Sequence, residues 1–396
     1  MKVCFDTFGC RLNRAEALER EAECIARGWT VVDSHAEADL VIVRGCSVTA
    51  RAQRDCERLI AHIKRKYPFK RLIVEGCLKD TTRRTPDRKP GDASKAAGTV
   101  PTRTARAYLK VQDGCSGRCS FCIVPQFRGP PVSIPFDDVL CRANAFIEAG
   151  YREIVVTGCN LSLYANSSKR FPDLVDALAA LGESGGCRIR IGSLEPGPCA
   201  RETIEAMAGR ESVCRFLHLP VQSGSRQILA AMKRPYTIDE IAKTVELAAR
   251  LMPLAGIGCD LMSGFPGERE ADHLATLGML RRLPFSNVHV FPYSERPGTV
   301  AAGLAGSVPP DVRRARAHIL AACAAKKRIA FARRFVGRTV AIVSEKEGAC
   351  SGTTSEYLTC RAPGSVPRKS LATVRVTRAH GDASLSGALV RDPQAC

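Results

Sequence analysis

No stretch of this 396-residue chain approaches the roughly 18 consecutive apolar residues of a membrane-spanning helix, so no membrane association is expected. The opening Met1-Lys2-Val3-Cys4-Phe5-Asp6 lacks the apolar core of a signal peptide and reads as the start of a strand, which predicts a cytoplasmic protein. Acidic residues are scarce relative to basic ones, 40 against 59, leaving a net charge of +19 and a pI near 9.4. Such a balance favours a polyanionic partner, the alternative being that the charge serves solubility. Nineteen cysteines scattered through a long chain without a targeting signal exclude a small disulfide-stapled scaffold and point to reduced thiols and metal ligation. At the usual ~100–200 residues per domain, the length implies two or three domains.

One more absence is local. The run Gly114-Cys115-Ser116-Gly117-Arg118-Cys119-Ser120-Phe121-Cys122 is followed by no further Cys and no His within the next dozen residues. A structural zinc site wants four protein ligands, and electron-transfer iron–sulfur loops usually take four cysteines. Three thiolates at C-x3-C-x2-C spacing instead suit a 4Fe-4S cube with one iron left open, and an open iron binds a small molecule. A zinc knuckle or chance clustering is the alternative reading of the loop alone.

The first eighty residues alternate strand and helix patterns. Lys2–Phe8 reads as a strand, Asn13 as the cap of a helix with Leu18, Ala22 and Ile25 on one face, Ala38–Val43 as a strand, then a helix with Cys56, Leu59, Ile60 and Ile63 at i, i+3, i+4 and i+7, and Arg71–Val74 as a strand. This is a parallel sheet with helices on its faces. Cys10, Cys46 and Cys77 each follow a Gly just past a strand, where α/β sheets place their ligands, so the three are expected to converge. Residues 81–104 read as a Pro/Gly/basic linker. From 105 to 334, strands at Ala107–Val111, Glu153–Thr157, Arg188–Ile191, Phe216–Leu219, Ile257–Met262 and Asn287–Phe291 alternate with helices such as Phe136–Ala149 and Ser225–Met232, which predicts a (β/α) barrel or partial barrel with its site at the strands' C-terminal ends. From 335 to 396, short β pieces at Thr339–Ser344, Tyr357–Cys360 and Leu371–Arg378 between Gly and Pro turns predict a small all-β barrel.

Taken together these motifs resemble the methylthiotransferases, radical S-adenosylmethionine (SAM) enzymes that insert a methylthio group into tRNA or a ribosomal protein. The resemblance is carried by Thr7-Phe8-Gly9-Cys10-Arg11-Leu12-Asn13, Gly45-Cys46-Ser47-Val48-Thr49, Gly76-Cys77, Gln112-Asp113-Gly114-Cys115 through Phe127-Arg128-Gly129, His218-Leu219-Pro220-Val221-Gln222-Ser223-Gly224-Ser225, Gly264-Phe265-Pro266-Gly267-Glu268 and His289-Val290-Phe291-Pro292-Tyr293-Ser294. It implies an α/β protein: an N-terminal parallel-sheet domain over 1–80, a radical-SAM partial (β/α) barrel over 105–334, and a TRAM-like RNA-binding module over 335–396. It implies two 4Fe-4S clusters with S-adenosyl-L-methionine as cofactors, Cys115, Cys119 and Cys122 holding the SAM-binding cluster and Cys10, Cys46 and Cys77 an auxiliary cluster that carries the sulfur. Thr157, Gly158 and Asn160 stand where the family meets the methionine end of SAM, and Glu195 and Gln222 stand at later strand ends facing the same pocket. Asn160 capping a turn and Gln222 satisfying buried backbone are the alternatives.

The partners implied are the anticodon stem-loop of a tRNA and an electron donor. Ser193-Leu194-Glu195-Pro196, with Gly9-Cys10-Arg11-Leu12-Asn13 and Gln112-Asp113-Gly114, looks most like the branch acting on carbon 2 of N6-threonylcarbamoyladenosine, since the isopentenyladenosine branch typically carries His where Glu195 stands. In that reading Arg188 or Arg190 pairs with the threonyl carboxylate, or else serves a structural ion pair. Isopentenyladenosine, a ribosomal protein, or a non-catalytic iron–sulfur RNA-binding role remain as alternatives. The chain departs from the family in three places: Pro130-Pro131-Val132-Ser133 lacks the usual arginines, Arg44-Gly45 replaces Asn-Thr before Cys46, and the Cys77 to Cys115 stretch is short. The other cysteines match no cluster motif and read as packing or exposed thiols.

Overall fold

Apolar β-branched runs separated by amphipathic helices build the N-terminal unit of the computed structural model, which describes residues 1–48, 50–78 and 104–390. Its elements are β1 (Lys2–Thr7), α1 (Arg11–Ala26), β2 (Thr30–Val31), β3 (Leu40–Cys46), α2 (Ala50–Lys66) and β4 (Arg71–Cys77). The sheet runs β2-β1-β3-β4 with every pair parallel, as the alternation predicts. Val41 and Val43 pack with Cys56 and Ile63 of α2 on one face, while Leu40 and Ile42 pack with Val3 and Cys24 on the other. Both faces are therefore covered, which is why β3 is apolar throughout its first four residues. Two details differ from expectation. Asn13 lies inside α1 instead of capping it, with Cys10 at the N-cap. Ile25 is exposed, because the buried stripe of α1 ends at Cys24.

The linker expected over 81–104 lies, apart from Thr104, outside the described residues. Beyond it come β5 (Ala107–Asp113), α3 (Val124–Arg128), β6 (Val132–Ser133), α4 (Phe136–Glu148) and β7 (Glu153–Gly158), then a small hairpin of β8 (Ala165–Asn166) and β9 (Lys169–Arg170). There follow α5 (Phe171–Ser184), β10 (Arg188–Ile191), α6 (Pro198–Ala208), β11 (Phe216–Gln222), α7 (Arg226–Ala231), α8 (Ile238–Leu251), β12 (Gly256–Ser263), α9 (Glu270–Arg282), β13 (Asn287–Pro292) and α10 (Pro310–Arg333). Strands β10-β7-β5 are parallel, with the short β6 antiparallel at the edge, and β11-β12-β13 form a second parallel set. Isolated bridges Ile189↔Val213 and Ser193↔His218 join the sets into one curved, open sheet, a partial barrel. Leu109, Val156, Ile189, Leu217, Cys259 and Leu261 face the outer helices, so the alternate residues line the inside.

Helix α1 packs across the inner side of this sheet. Its Ala15 and Leu18 pack against Tyr108 of β5 and Val155 of β7, so the N-terminal unit is seated on the barrel by its own first helix. Burying Leu18 there contributes about 1.5–3 kcal/mol. The tail is a closed five-stranded barrel in the order β14-β15-β16-β18-β17, with β14 (Thr339–Ser344), β15 (Cys350–Thr354), β16 (Thr359–Ala362), β17 (Leu371–Ala379) and β18 (Leu385–Leu389). Val340, Ile342, Cys360, Val374 and Leu385 fill it, and Phe331 and Phe335 tie it to the end of α10.

Candidate active site

Three thiols meet at the carboxyl edge of the N-terminal sheet. Cys46 and Cys77 end β3 and β4 in direct register, and Cys10 opens α1 just past β1. Gly9, at φ +94°, brings its backbone so close that a Cβ there would fall 2.6 Å from the Cys46 Cβ and 2.8 Å from its Sγ. The Asn13 side-chain amide donates to the carbonyls of Phe8 at 2.8 Å and Gly45 at 2.9 Å, tying the Cys10 and Cys46 loops together. That long-range duty is why Asn13 sits within the helix.

The second triad follows β5. The Gly117 N–H donates to Cys115 Sγ at 3.2 Å, and a Cβ on Gly117 would stand 3.1 Å from Cys115 Sγ and 3.8 Å from Cys119 Sγ. Glycine thus keeps open the hollow between the thiols. Gln112 steadies the loop: its Nε2 donates to the carbonyls of Asp113 and Gly114 at 2.7 and 2.8 Å, and its Oε1 accepts from the Asn160 backbone at 2.9 Å. Asn160 does cap a short turn, accepting from the Ser162 N–H at 3.1 Å, yet its Nδ2 also donates to Glu195 at 3.0 Å and lies 4.0 Å from Cys115 Sγ. Glu195 pairs with Arg234 at 2.8 Å, and Arg234 Nη1 reaches Cys119 Sγ at 2.9 Å. Asn160 and Glu195 therefore gather around the Cys115–Cys122 loop. Thr157 and Gly158 end the adjacent β7, with Thr157 buried. Gln222 ends β11 in the left-handed region, φ +70°, and its buried Oε1 has no protein partner among the described residues. An orphaned acceptor at a strand end fits a ligand that brings a donor.

Sequence comparison matches the Radical SAM superfamily over residues 109–280 and the uncharacterized protein family UPF0004 over residues 2–94. A tRNA-2-methylthio-N(6)-dimethylallyladenosine synthase of Cereibacter sphaeroides is 32% identical over an alignment covering 98% of each chain. A threonylcarbamoyladenosine tRNA methylthiotransferase of Bacillus subtilis is 29% identical over an alignment covering 90% of this chain and 89% of the relative. The chain belongs to the radical SAM methylthiotransferases. In fold it resembles a solved radical S-adenosylmethionine methyltransferase of Kitasatospora setae, with a TM-score of 0.56 at 14% identity over 76% of this chain and 77% of that one.

As a radical SAM methylthiotransferase the protein is a transferase that works with S-adenosylmethionine and 4Fe-4S clusters, and the donor sets fit them. Both triads are thiols alone, each with a glycine where a Cβ would crowd the sulfurs. Burial raises the pKa of Cys46, Cys77 and Cys119, and pushes Cys122 to about 11, so these four thiols stay protonated at neutral pH and release their protons on binding a metal.

Around these sulfurs the methylthiotransferase arranges arginines that the sequence patterns did not single out. Arg128, six residues past Cys122, donates through Nε to Cys77 Sγ at 3.2 Å. Its other N–H groups reach Glu16 at 2.8 and 3.1 Å, Asp113 at 2.9 Å and Asn13 at 2.9 Å. One side chain thus spans the barrel loop and the N-terminal triad. Against burial, which would raise it, Arg128, Lys110 and Arg44 hold the Glu16 carboxyl far below the usual range. Arg296, from the loop after β13, is buried with its Nε unpartnered among the described residues and donates to Gln53. Burial lowers its pKa and nearby Cys46 opposes that shift. Guanidiniums at both triads suit anionic thiolate clusters, whose charge and sulfur hydrogen bonds set their potentials. The Phe127-Arg128-Gly129 motif was the one available signal.

Arg188 and Arg190 do not face a substrate. Both are buried against Glu153, with Nε to carboxylate distances of 2.6 and 2.7 Å. Their remaining N–H groups bond carbonyls of the C-terminal barrel: Ala341 and Thr353 for Arg188, Thr354 and Ser355 for Arg190. The structural ion pair is the reading that holds.

No helix among the described residues is long and apolar enough to cross a membrane.

Proposed function

We propose that the protein adds a methylthio group to carbon 2 of N6-threonylcarbamoyladenosine in the anticodon stem-loop of a tRNA. In this reading residues 1–80 carry the auxiliary cluster on Cys10, Cys46 and Cys77, residues 105–334 hold the SAM-binding cluster on Cys115, Cys119 and Cys122, and residues 335–396 contact RNA. SAM meets Thr157, Gly158, Asn160 and Gln222, while Glu195 orients the open iron's surroundings through Arg234 and Asn160. When bound, these groups supply a carbon-centred radical that removes hydrogen from the base and a sulfur that replaces it, chemistry that side chains lack.

The chain's own task is docking and exclusion of water. Arg128 and α1 fix the two triads relative to each other, and an electron donor reduces the clusters. Phosphate contacts come from basic residues such as the exposed Arg361, Arg375 and Arg378 of the tail, and an unpaired anticodon-loop base is the form in which RNA offers a nucleobase for chemistry.

The observation that carries the choice of base is the polarity inside the barrel. His218, Asp260 and His289 line its inner wall, the imidazoles 3.0 and 3.3 Å from the Asp260 oxygens. An isopentenyl group could make no hydrogen bond to this polar wall, whereas a threonylcarbamoyl group brings its own donors and acceptors to it. Relatives of both specificities lie near 30% identity, so overall similarity does not separate them. Holoenzyme incubated with tRNA carrying either precursor, followed by nucleoside mass spectrometry, tests the assignment. Methylthiolation of the threonylcarbamoyl form is expected; modification of the isopentenyl form alone, or of a ribosomal protein alone, overturns it.

A further inference from the structure

A line of touching side chains crosses all three parts of the molecule. The rings of His289 and His218 lie 5.5 Å apart, with Asp260 between their nitrogens. His218 adjoins Phe216, which stacks at 4.5 Å on Tyr357 of the C-terminal barrel. Tyr357 is held in the left-handed region at φ +71°, a conformation a bulky residue adopts only when its surroundings impose it. Over that ring, 5.2 Å from its centroid, lies the guanidinium of Arg11, whose Nη2 donates to the Tyr357 hydroxyl at 2.9 Å.

Arg11, like Arg296, has no carboxylate partner among the described residues, which sets the two apart from the other arginines at the site. Arg188 and Arg190 are consumed by Glu153 and backbone carbonyls, Arg128 and Arg234 by carboxylates and thiols. The only hydrogen-bond partner of Arg11 among the described residues is the Tyr357 hydroxyl. A half-buried cation with uncommitted N–H groups and no carboxylate is an anion site in want of an anion. Its place is also set: Arg11 follows Cys10, a member of the N-terminal triad. On adenine, carbon 2 and carbon 6, which bears N6, flank N1 on one edge. A base that turns carbon 2 toward that triad therefore carries its N6 substituent alongside, and the residue next to Cys10 is Arg11.

We propose that Arg11, held over Tyr357, is the specificity-determining residue that pairs with the carboxylate of the N6 substituent. The proposal rests on the threonylcarbamoyl reading above and can fail without it. The test is equilibrium binding of unreduced holoenzyme to labelled anticodon stem-loops carrying threonylcarbamoyladenosine, its carboxyl methyl ester, or isopentenyladenosine. Wild type should bind the acid about tenfold or more tighter than the ester, the scale of a lost charged hydrogen bond. Arg11→Gln should erase that difference without altering iron content, and Arg11→Lys, which keeps the charge but not the fork, should restore part of it. If Arg11→Gln discriminates acid from ester as well as wild type does, the assignment is wrong. If the variant does not fold, the wild-type comparison still decides: equal affinity for acid and ester, by an enzyme that methylthiolates the acid, overturns Arg11 alone. Methylthiolation of the isopentenyl RNA alone overturns the function reading itself.

Discussion

Replacing Arg128 by Met should loosen the N-terminal unit from the barrel, and the hydrogen-bond geometry says by how much. The Arg128 side chain is 9% exposed and makes bonds of 2.8–3.2 Å to Glu16, Asp113, Asn13 and Cys77. Methionine keeps most of the volume, so the loss is electrostatic. Breaking a buried pair typically costs about 3–5 kcal/mol because a charge is stranded. Here Glu16 retains Arg44 at 2.7 Å and Lys110 at 2.6 Å, and Asp113 retains Lys110 at 2.5 Å, so neither carboxylate is abandoned. The cost should fall to about 2–3 kcal/mol, the value of the charged hydrogen bonds themselves. At 1.4 kcal/mol per decade this is a roughly 30- to 150-fold rise in opening. Hydrogen exchange followed by mass spectrometry, in the regime where rates report opening equilibria, should show it in peptides from α1 and β4 and not in those from β12 or α8. The auxiliary cluster should also shift its potential, having lost a donor to a ligand sulfur. Unchanged exchange in α1 would show that α1's apolar contacts alone seat the unit and that Arg128 has no anchoring role.

Changing Cys115, Cys119 and Cys122 together to Ala should halve the iron content from about eight atoms per chain and abolish SAM cleavage, whereas changing Cys10, Cys46 and Cys77 should also halve it but spare SAM cleavage and abolish sulfur insertion; insertion by the second variant would refute the division of labour. Alanine at the exposed Arg361, Arg375 and Arg378 should weaken tRNA binding and reduce the slope of log affinity against log salt by up to about 2, at ~0.7 per phosphate contact, with SAM cleavage unchanged; an unaltered slope would remove the tail from the interface. Glu153, opposed by burial but paired with Arg190, Arg188 and Arg106, titrates at about 2 instead of 4.5, so its stabilisation of the docked C-terminal barrel is complete above pH 4.5 and lost as pH falls toward 2. Glu153→Gln should flatten that part of the stability profile, and an equally steep profile by circular dichroism in the variant would place the acid sensitivity elsewhere.

The helices and parallel strands were legible because their signal is local. Alternating apolar runs and 3.6-residue stripes located β3, β5, β10, β13 and α4 to within a few residues, and the Gly-Cys ends of three strands foretold their convergence. Strands β15 and β18 were not legible, and the reason is specific. Gly352 and Gly387, which read as turn residues, sit mid-strand where a Cβ would come within 1.9 Å of the Val343 carbonyl oxygen and 2.0 Å of that of Arg375. A small barrel closes only if some strands approach that tightly, so glycine here marks contact between strands instead of a break in one.

The candidate site divides along the same line. Cys10, Cys46, Cys77, Cys115, Cys119 and Cys122 could be picked out because thiolate chemistry is rare and its spacing is informative. Arginine is common, and its role depends on partners distant in sequence. Arg188 and Arg190 alternate along β10 and so share the inner face, which made either a fair candidate for a substrate carboxylate. What settles their role is Glu153, the register partner of Arg188 on β7, together with carbonyls more than 150 residues away in β14, β15 and the turn after it. Glu153 is fully buried, and without the two arginines its charge could not be sustained there. The cations are thus consumed in fastening the C-terminal barrel onto the inner floor. That fastening in turn delivers Tyr357 to Phe216 and Arg11, so the second of the two roles open to Arg188 and Arg190, the structural ion pair, builds the platform that holds a different arginine.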